Sequence, residues 1–252
     1  MSFAVAGDVY DRFVGRYSRL LAPRFLDFAG VVEGPVLDVG AGPGALSSVL
    51  ADRFGAASVS AVEPSEPFAA ACRARVPGAD VRLAPAEALP FPDRSFSAAL
   101  SQLVLSFVTD AGKAASEMAR VVRPGGTVAA CTFDADGFAL AHTFWRAALR
   151  LDPAAPDDAG LPFRREGELI ALWTRTGLRD VTPGVIDIEA TYAGFDDFWE
   201  PFAQGVGPPG GWLVRQPETR RVEIREACRE ILGHPAGPFS LPARALAIRG
   251  RT

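Results

Sequence analysis

The sequence predicts an α/β fold, in which a doubly wound, mostly parallel sheet of seven strands carries helices on both faces and a helical cap built from insertions. Two observations support this prediction. Between residues 36 and 133, short apolar runs typical of buried strands alternate with segments of helical periodicity. Three glycines, Gly40, Gly42 and Gly44, follow the first apolar run, where a sharp turn from strand to helix is needed.

The first predicted strand begins at residue 35, and turn residues separate several of the elements that follow. Asp110 is expected to cap the helix before the fifth strand, the sequence RPGG is expected to form a turn, and GVGPPGGW a loop. The seven strands are predicted at 35–40, 57–63, 79–84, 96–102, 127–133, 179–190 and 240–250.

The predicted helices begin within the first thirty residues, where Phe13, Tyr17 and Leu20 recur at helical spacing. Pro23 is expected to divide this region into two helices, because proline removes a backbone hydrogen bond. Gly177 is expected to end the helix before the sixth strand. The remaining helices are predicted after the glycines and at 65–76, 111–122, 137–150, 166–178, 195–202 and 218–232.

We expect residues 1–252 to form a single domain. Its parts are N-terminal helices at 1–30, a cofactor-binding core at 35–133, cap insertions at 137–165 and 191–237, and a last strand at 240–250. After residue 133 the regular alternation of strands and helices ends and aromatic side chains become frequent. For this reason we assign the two insertions to a cap.

The composition is that of an ordinary globular protein and excludes several classes of function. A net charge of −4 without a basic run argues against a nucleic-acid partner. No apolar run approaches 18 residues, and the N-terminal sequence lacks the pattern of a signal peptide. The three cysteines, Cys72, Cys131 and Cys228, form no Cys-x-x-Cys pair, so we expect neither a metal site nor disulfides. These features predict a cytoplasmic protein.

The glycine loop and an acidic residue together indicate a nucleoside-bearing cofactor. A strand, a glycine loop and a helix N-terminus expose backbone N–H groups to a ligand. Glu63 ends the second strand, 23 residues after Gly40, where a carboxylate can accept hydrogen bonds from both ribose hydroxyls. Because Gly40, Gly42 and Ala45 also satisfy G-x-G-x-x-G/A, these features leave a dinucleotide and S-adenosylmethionine both open.

Further features favour S-adenosylmethionine. Asp38 lies two residues before Gly40, where a carboxylate suits an ammonium group and repels a pyrophosphate. With LDVGAGPG, AEALPFPDRSFS and RVVRPGG in this order, Val36 to Phe133 closely resembles the class I S-adenosylmethionine-dependent methyltransferases, in the ubiquinone- and menaquinone-methyltransferase-like branch (Methyltransferase type 11). The segments YDRFVGRYSRLLAPRFLDF and FDDFWEPF with GVGPPGGWL resemble a bacterial subgroup with mostly unassigned substrates. The resemblance implies a Rossmann-like sheet.

The resemblance implies a role for each matching residue around the methionine part of the cofactor. Asp38 would face the amino group, and Ser101 and Gln102 would lie beside the methionine chain and the methyl group. Tyr10 and Arg16 would close over the cofactor, with Arg16 pairing the cofactor carboxylate. The backbone around the methionine part would be that of Gly40, Ala41, Gly42 and Gly44.

At the nucleoside part, the resemblance implies that Glu63 binds the ribose and that Pro64 packs near the adenine. Ala86 and Glu87 would lie at the adenine edge. This sequence departs from its relatives at Pro85, where they commonly have an acidic residue. Proline has neither an N–H nor a side-chain acceptor, so an adenine contact is expected to be lost or to move to Glu87.

The implied reaction is in-line transfer of a methyl group to a small acceptor, and the aromatic insertions favour a partly apolar one. No catalytic residue is identified, since His142 and His234 are both explained by ordinary structural roles. Two alternatives stay open. The first is an NAD(P)-binding oxidoreductase, which would need a set of residues for hydride transfer, and none is recognisable around Lys113, the sole lysine. The second is a non-catalytic S-adenosylmethionine-binding protein. The accepting atom and the oligomeric state are not predicted.

Overall fold

The computed structural model describes residues 11–158 and 160–252, which form two compact units. We call Ser18–Asp134, Leu161–Ile186 and Ala245–Thr252 the core unit. The insertion unit comprises Met1–Tyr17, Ala135–Gly160 and Asp187–Arg244, as far as these are described. The insertion unit therefore contains nearly all of the two predicted cap insertions. The prediction of a single domain stays a prediction.

The described part of the chain contains one seven-stranded sheet, with the order β3-β2-β1-β4-β5-β7-β6. The strands are β1 (Val36–Val39), β2 (Val59–Glu63), β3 (Asp80–Leu83), β4 (Phe96–Gln102), β5 (Val122–Phe138), β6 (Arg179–Tyr192) and β7 (Phe239–Arg251). The helices are α1 (Val14–Ala29), α2 (Ala45–Phe54), α3 (Glu66–Arg75), α4 (Ala111–Val121), α5 (Ala139–Leu151), α6 (Glu166–Arg175), α7 (Phe195–Ala203), α8 (Gly207–Leu213) and α9 (Glu218–Ile231).

The strand order contains a switch point between β1 and β4. Strand β1 pairs in parallel with β2 on one side and with β4 on the other, and β4 pairs in parallel with β5. The chain thus builds outward from β1 in one direction, then returns to build in the other direction. In sheets of this kind, ligands bind in the crevice at the carboxyl ends of the two strands where the order reverses.

Helices cover the sheet of the core unit on both faces, as predicted. Leu37 and Val62 belong to a core cluster that also contains Met118 of α4. Ala61, the neighbour of Val62 on β2, belongs to a second cluster, with Cys72 of α3. Because successive strand residues point to opposite faces, the two clusters lie on opposite sides of the sheet. The Rossmann-like fold is confirmed.

The prediction that Pro23 divides the N-terminal helix is wrong. Helix α1 is continuous from Val14 to Ala29 with Pro23 inside it. Proline removes only one hydrogen bond of the helix. Apolar residues on both sides of it, among them Leu21 and Phe25, are fully buried, and this packing holds the two halves in one helix.

Two predictions of irregular structure are also wrong. The sequence GVGPPGGW contains helix α8, in which Pro208 and Pro209 occupy the first turn, where a missing N–H does no harm. The RPGG sequence lies inside β5, as an irregularity in the pairing with β4 between Val122 and Thr127. By contrast, Asp110 caps α4 as predicted, by accepting the Lys113 N–H at 2.9 Å.

Among the described helices, none is both long enough and apolar enough to cross a membrane.

Candidate functional site

The glycine loop between β1 and α2 adopts a conformation that only glycine tolerates well. Gly40, Gly42 and Gly44 have φ angles of 75°, 54° and 91°. A Cβ at Gly40 would lie 2.5 Å from Val104 Cγ2, and a Cβ at Gly44 would lie 2.9 Å from Cys72 Sγ. At Gly42, nothing lies within 4 Å of the added atom. Gly42 is therefore the glycine of this loop that leaves room for a ligand.

Glu63 connects the glycine loop to the end of β2. Its Oε2 accepts the Gly42 N–H and its Oε1 accepts the Ser65 N–H, both at 2.9 Å. Burial raises the pKa of Glu63, while the hydrogen bonds from Ser65 and Gly42 oppose that rise. Each carboxylate oxygen keeps a lone pair, so Glu63 can fix the loop and still accept two hydroxyl hydrogen bonds.

Asp38 is a buried carboxyl group with one oxygen that lacks a partner. The side chain is on β1, it is 1% exposed, and its Oδ2 accepts the Ser47 hydroxyl at 2.6 Å. Oδ1 has no hydrogen-bond partner among residues 11–158 and 160–252. Burial raises the pKa of Asp38 to about 7; the Ser47 hydrogen bond opposes the rise, and the Glu63 carboxylate adds to it. Such a group is costly unless a cation or donor satisfies it.

Gln102 places a second unsatisfied acceptor at the end of β4. Its Nε2 donates to the Ser18 carbonyl oxygen at 3.1 Å, and its Oε1 is buried without a partner in the described part of the chain. The preceding residue, Ser101, donates its hydroxyl to the Val39 carbonyl oxygen at 3.0 Å and so ties β4 to β1. Asp38 on β1 and Gln102 on β4 thus each have one acceptor oxygen that is unpaired among the described residues, and these are the two strands at the switch point.

Of the residues predicted to lie near the adenine, Glu87 already has other hydrogen-bond partners. Ala86 is buried and Pro64 is exposed. Glu87 Oε1 accepts the N–H groups of Thr109 and Asp110, at 2.8 and 3.2 Å, and so holds the segment that leads into α4. Glu87 therefore cannot replace the adenine contact that Pro85 lacks without a constraint, because one of its carboxylate oxygens already accepts backbone hydrogen bonds.

Of the predicted site residues, Arg16 belongs to the insertion unit, and Tyr10 lies outside the described residues. The Arg16 guanidinium forms an ion pair with Asp197, with an N···O distance of 2.7 Å, and donates to the Thr191 carbonyl oxygen at 2.7 Å. It also lies 4.1 Å from the centre of the Tyr192 ring. Arg16 has a structural role in this unit, and its pairing with a cofactor carboxylate stays a prediction.

The remaining candidates have ordinary structural partners. His142 Nε2 lies 2.7 Å from the Ala135 carbonyl oxygen, so this nitrogen is the donor. His234 lies 3.8 Å from Glu226 at an exposed position. The aromatic residues of the insertion unit pack mainly on each other, as in the contact between Phe144 and Phe202, whose ring centres are 4.7 Å apart. They form the core of this unit.

Sequence reasoning missed three residues that complete the site. Ser47 holds Oδ2 of Asp38, Cys72 packs under Gly44, and Val104 packs against Gly40. Only Ser47 had a usable signal: it lies in the first turn of the helix after the loop, near the end of β1. The other two depend on packing between distant segments.

Taken together, the core-unit residues fit a ligand with an ammonium group and a pair of hydroxyls. An ammonium offers three donors and a positive charge, which would satisfy the unpaired oxygens of Asp38 and Gln102. The spare lone pairs of Glu63 suit hydroxyl donors, and the open space at Gly42 admits the ligand against bare backbone. A pyrophosphate would instead meet the buried carboxyl group of Asp38.

Comparison with known families agrees with this geometry. Residues 37–130 match the family described as "Methyltransferase domain". A curated relative, malonyl-[acyl-carrier protein] O-methyltransferase of Geobacter sulfurreducens, is 32% identical over 166 residues, which are 65% of this chain and 61% of the relative. The match thus spans about three fifths of that relative's length.

Two solved structures show the same fold. A methyltransferase from Bacillus halodurans has a TM-score of 0.59 and 15% identity, over 91% of this chain and 97% of that one. Haemonchus contortus phosphoethanolamine N-methyltransferase 2, in complex with phosphomonomethylethanolamine and S-adenosylhomocysteine, has a TM-score of 0.58 and 16% identity, over 100% of this chain and 61% of that one.

Proposed function

We propose that this chain is a class I S-adenosylmethionine-dependent methyltransferase that transfers the methyl group of its cofactor to a small-molecule acceptor. The observation that best supports the proposal is the buried carboxyl group of Asp38, whose Oδ1 has no partner within the described protein. A cationic amino group explains this oxygen, whereas the pyrophosphate of a nicotinamide dinucleotide would be repelled by it.

The cofactor-binding residues that we propose lie mainly in the core unit. Asp38 and Gln102 would hold the amino end, Glu63 the ribose, and Pro64 and Ala86 the adenine. Glu87 would act mainly through the segment that it holds. The loop of Gly40, Ala41, Gly42 and Gly44, followed by Ser101, would line the methionine part, and Tyr10 and Arg16 remain proposed contributors.

When it is bound, S-adenosylmethionine supplies a methyl group on a sulfonium that needs no further activation. The protein therefore has to orient the two reactants and exclude water, and orientation of this kind contributes roughly 7–11 kcal/mol. The rigid hydrogen bonds of Glu63 to Gly42 and of Asp38 to Ser47 provide a fixed platform for this purpose. A general base is needed only where the acceptor must lose a proton during attack.

The acceptor is proposed to be small and partly apolar. The support for this is the aromatic composition of the insertions, although Trp145, Trp199 and Trp212 themselves are buried in the core of the insertion unit. The related enzymes named above act on a malonyl group carried by a protein or on phosphoethanolamine, and these names do not identify the acceptor of this chain.

The proposed function is tested by measuring S-adenosylhomocysteine release with a panel of small acceptors. We expect turnover with at least one acceptor, and we expect calorimetry to detect binding of S-adenosylmethionine and S-adenosylhomocysteine but not of NAD. Binding of NAD in place of the sulfonium cofactor would contradict the proposal. Binding of the cofactor without turnover across a broad panel would favour the non-catalytic alternative.

We also propose that the protein acts in the cytoplasm. Cys72, Cys131 and Cys228 are free and buried, as is usual for a protein of a reducing compartment.

A further inference from the structure

The insertion unit contains a cavity whose lining includes none of the proposed cofactor-binding residues. Its volume is about 430 Å³, within the usual size range of small-molecule sites. The start of α7, one side of α9 and the segment that follows α9 form its wall. The lining residues are Ala193, Gly194, Phe195, Asp196, Asp197, Arg225, Arg229, Pro235, Ala236 and Gly237.

Arg229 brings an uncompensated positive charge to this cavity. Its Nε is buried and has no hydrogen-bond partner, and no carboxylate of the described residues pairs with its guanidinium. The guanidinium carbon lies 6.0 Å from the centre of the Phe195 ring. The side chain as a whole is half-buried, so only this nitrogen is withdrawn from water, and the rest of the guanidinium stays accessible to a ligand in the cavity that Arg229 lines.

The other charged groups of the wall already have ion-pair partners. Arg225 forms an ion pair with Asp196 at 2.6 Å, and Asp197 forms one with Arg16 at 2.7 Å. Asp197 also accepts the Ala193 N–H at 3.0 Å. Arg229 is therefore the charge in the wall that still lacks a counterion.

We infer that the cavity binds a small organic acid through a single carboxylate. The carboxylate would accept hydrogen bonds from Arg229, because a planar guanidinium can donate two parallel N–H hydrogen bonds to the two oxygens of a carboxylate. The carbon part would pack on Phe195, Pro235 and Ala236. A phosphate monoester is disfavoured because it carries close to two negative charges, and the carboxylates of Asp196 and Asp197 stand in the same wall. The cavity is also far larger than an inorganic anion requires.

Calorimetric titration of the full chain with benzoate, phenylacetate and hexanoate tests this inference, with benzamide and phenyl phosphate as comparison probes. We expect at least one of the acids to bind at or below about 10 mM. Benzamide and phenyl phosphate should bind at least about tenfold more weakly than the best acid, because one lacks the charge and the other carries an excess of it.

Two variants locate the site. Arg229→Gln should weaken binding of the best acid by at least about tenfold. Gly237→Leu should also weaken it by filling the cavity, since nothing lies within 4 Å of a Cβ at Gly237. The matched control is Arg221→Gln, on the same helix and with an unpartnered buried Nε, but outside the lining. This control should bind the acid normally.

The inference is overturned if none of the three acids binds, if benzamide or phenyl phosphate binds as well as the best acid, or if Arg229→Gln and Gly237→Leu, both still folded, bind it normally. Because the cofactor-binding residues of the core unit are not involved, S-adenosylhomocysteine affinity reports separately on the proposed function. It should stay unchanged in both variants.

Discussion

Replacement of Glu63 by alanine is expected to weaken S-adenosylhomocysteine binding at least about a hundredfold. Two hydrogen bonds from hydroxyls to a buried carboxylate contribute roughly 1.5–3 kcal/mol each. The substitution also releases the N–H groups of Gly42 and Ser65, which Glu63 holds at 2.9 Å, and so loosens the loop. Isothermal titration calorimetry measures the loss directly, and thermal denaturation shows whether the variant remains folded.

A change of ligand separates the ribose contribution from the loosening of the loop. An analogue of S-adenosylhomocysteine without the 2′ and 3′ hydroxyls should lose much less affinity on Glu63→Ala than the parent compound, because its hydrogen bonds to Glu63 are already missing. Glu66→Ala is the matched control, since Glu66 is exposed and pairs with Arg73. A folded Glu63→Ala protein with unchanged affinity for the parent compound would show that Glu63 does not hold the ribose.

Asp38→Asn is expected to change stability and cofactor affinity in opposite directions. The folded pKa of Asp38 is about 7, above the ordinary value of 3.8. The unfolded chain therefore releases the proton at lower pH than the folded protein. The stability of the wild-type protein then falls as pH rises from about 4 to about 7, and above that range the loss is complete. Asparagine stays neutral and avoids this loss.

The stability of the two proteins is compared by urea denaturation at about pH 5.5 and about pH 8. The free energy of unfolding of Asp38→Asn, relative to wild type, should rise by roughly 2 kcal/mol between these two conditions. Any pH-independent effect of the substitution cancels in this comparison. Asp52→Asn, at an exposed position, is the control. An equal difference at both pH values would mean that Asp38 does not titrate in this range.

The same substitution should weaken S-adenosylhomocysteine binding by about tenfold or more, because the amino group loses a charged partner. Binding of 5′-methylthioadenosine, which lacks the amino acid part, should be nearly unchanged. In the wild-type protein, affinity for the parent ligand should increase as pH rises toward about 7, since Asp38 must lose its proton to pair with an ammonium. Equal losses for the two ligands would place the amino group elsewhere.

Much of the candidate site could be proposed from the sequence because its signals are local. The glycine loop, Asp38 before it and Glu63 at the end of the next strand follow from the strand–loop–helix pattern. The structure adds the reason for Gly40 and Gly44, which is close packing against Val104 and Cys72. These contacts join segments that are far apart in the chain, so the sequence around the glycines does not reveal them.

The features that sequence reasoning did not predict depend on tertiary partners. The acceptor for Gln102 Nε2 is a backbone oxygen 84 residues away, and the partner of Arg16 is 181 residues away. The prediction at Pro23 is wrong because buried packing holds both halves in one helix, and the prediction of a loop at α8 is wrong because Pro208 and Pro209 lie in the first turn, where a helix tolerates proline. The cavity beside Arg229 combines the start of α7 with the segment after α9, and no periodicity in either predicts it.

A crystal structure of the complex with S-adenosylhomocysteine tests most directly where the cofactor lies. We predict that the ligand amino group lies within hydrogen-bond distance of Asp38 Oδ1 and that both ribose hydroxyls contact the Glu63 carboxylate, with Gly42 against the ligand. A ligand bound elsewhere, or one whose amino group and ribose avoid these two carboxylates, would contradict it.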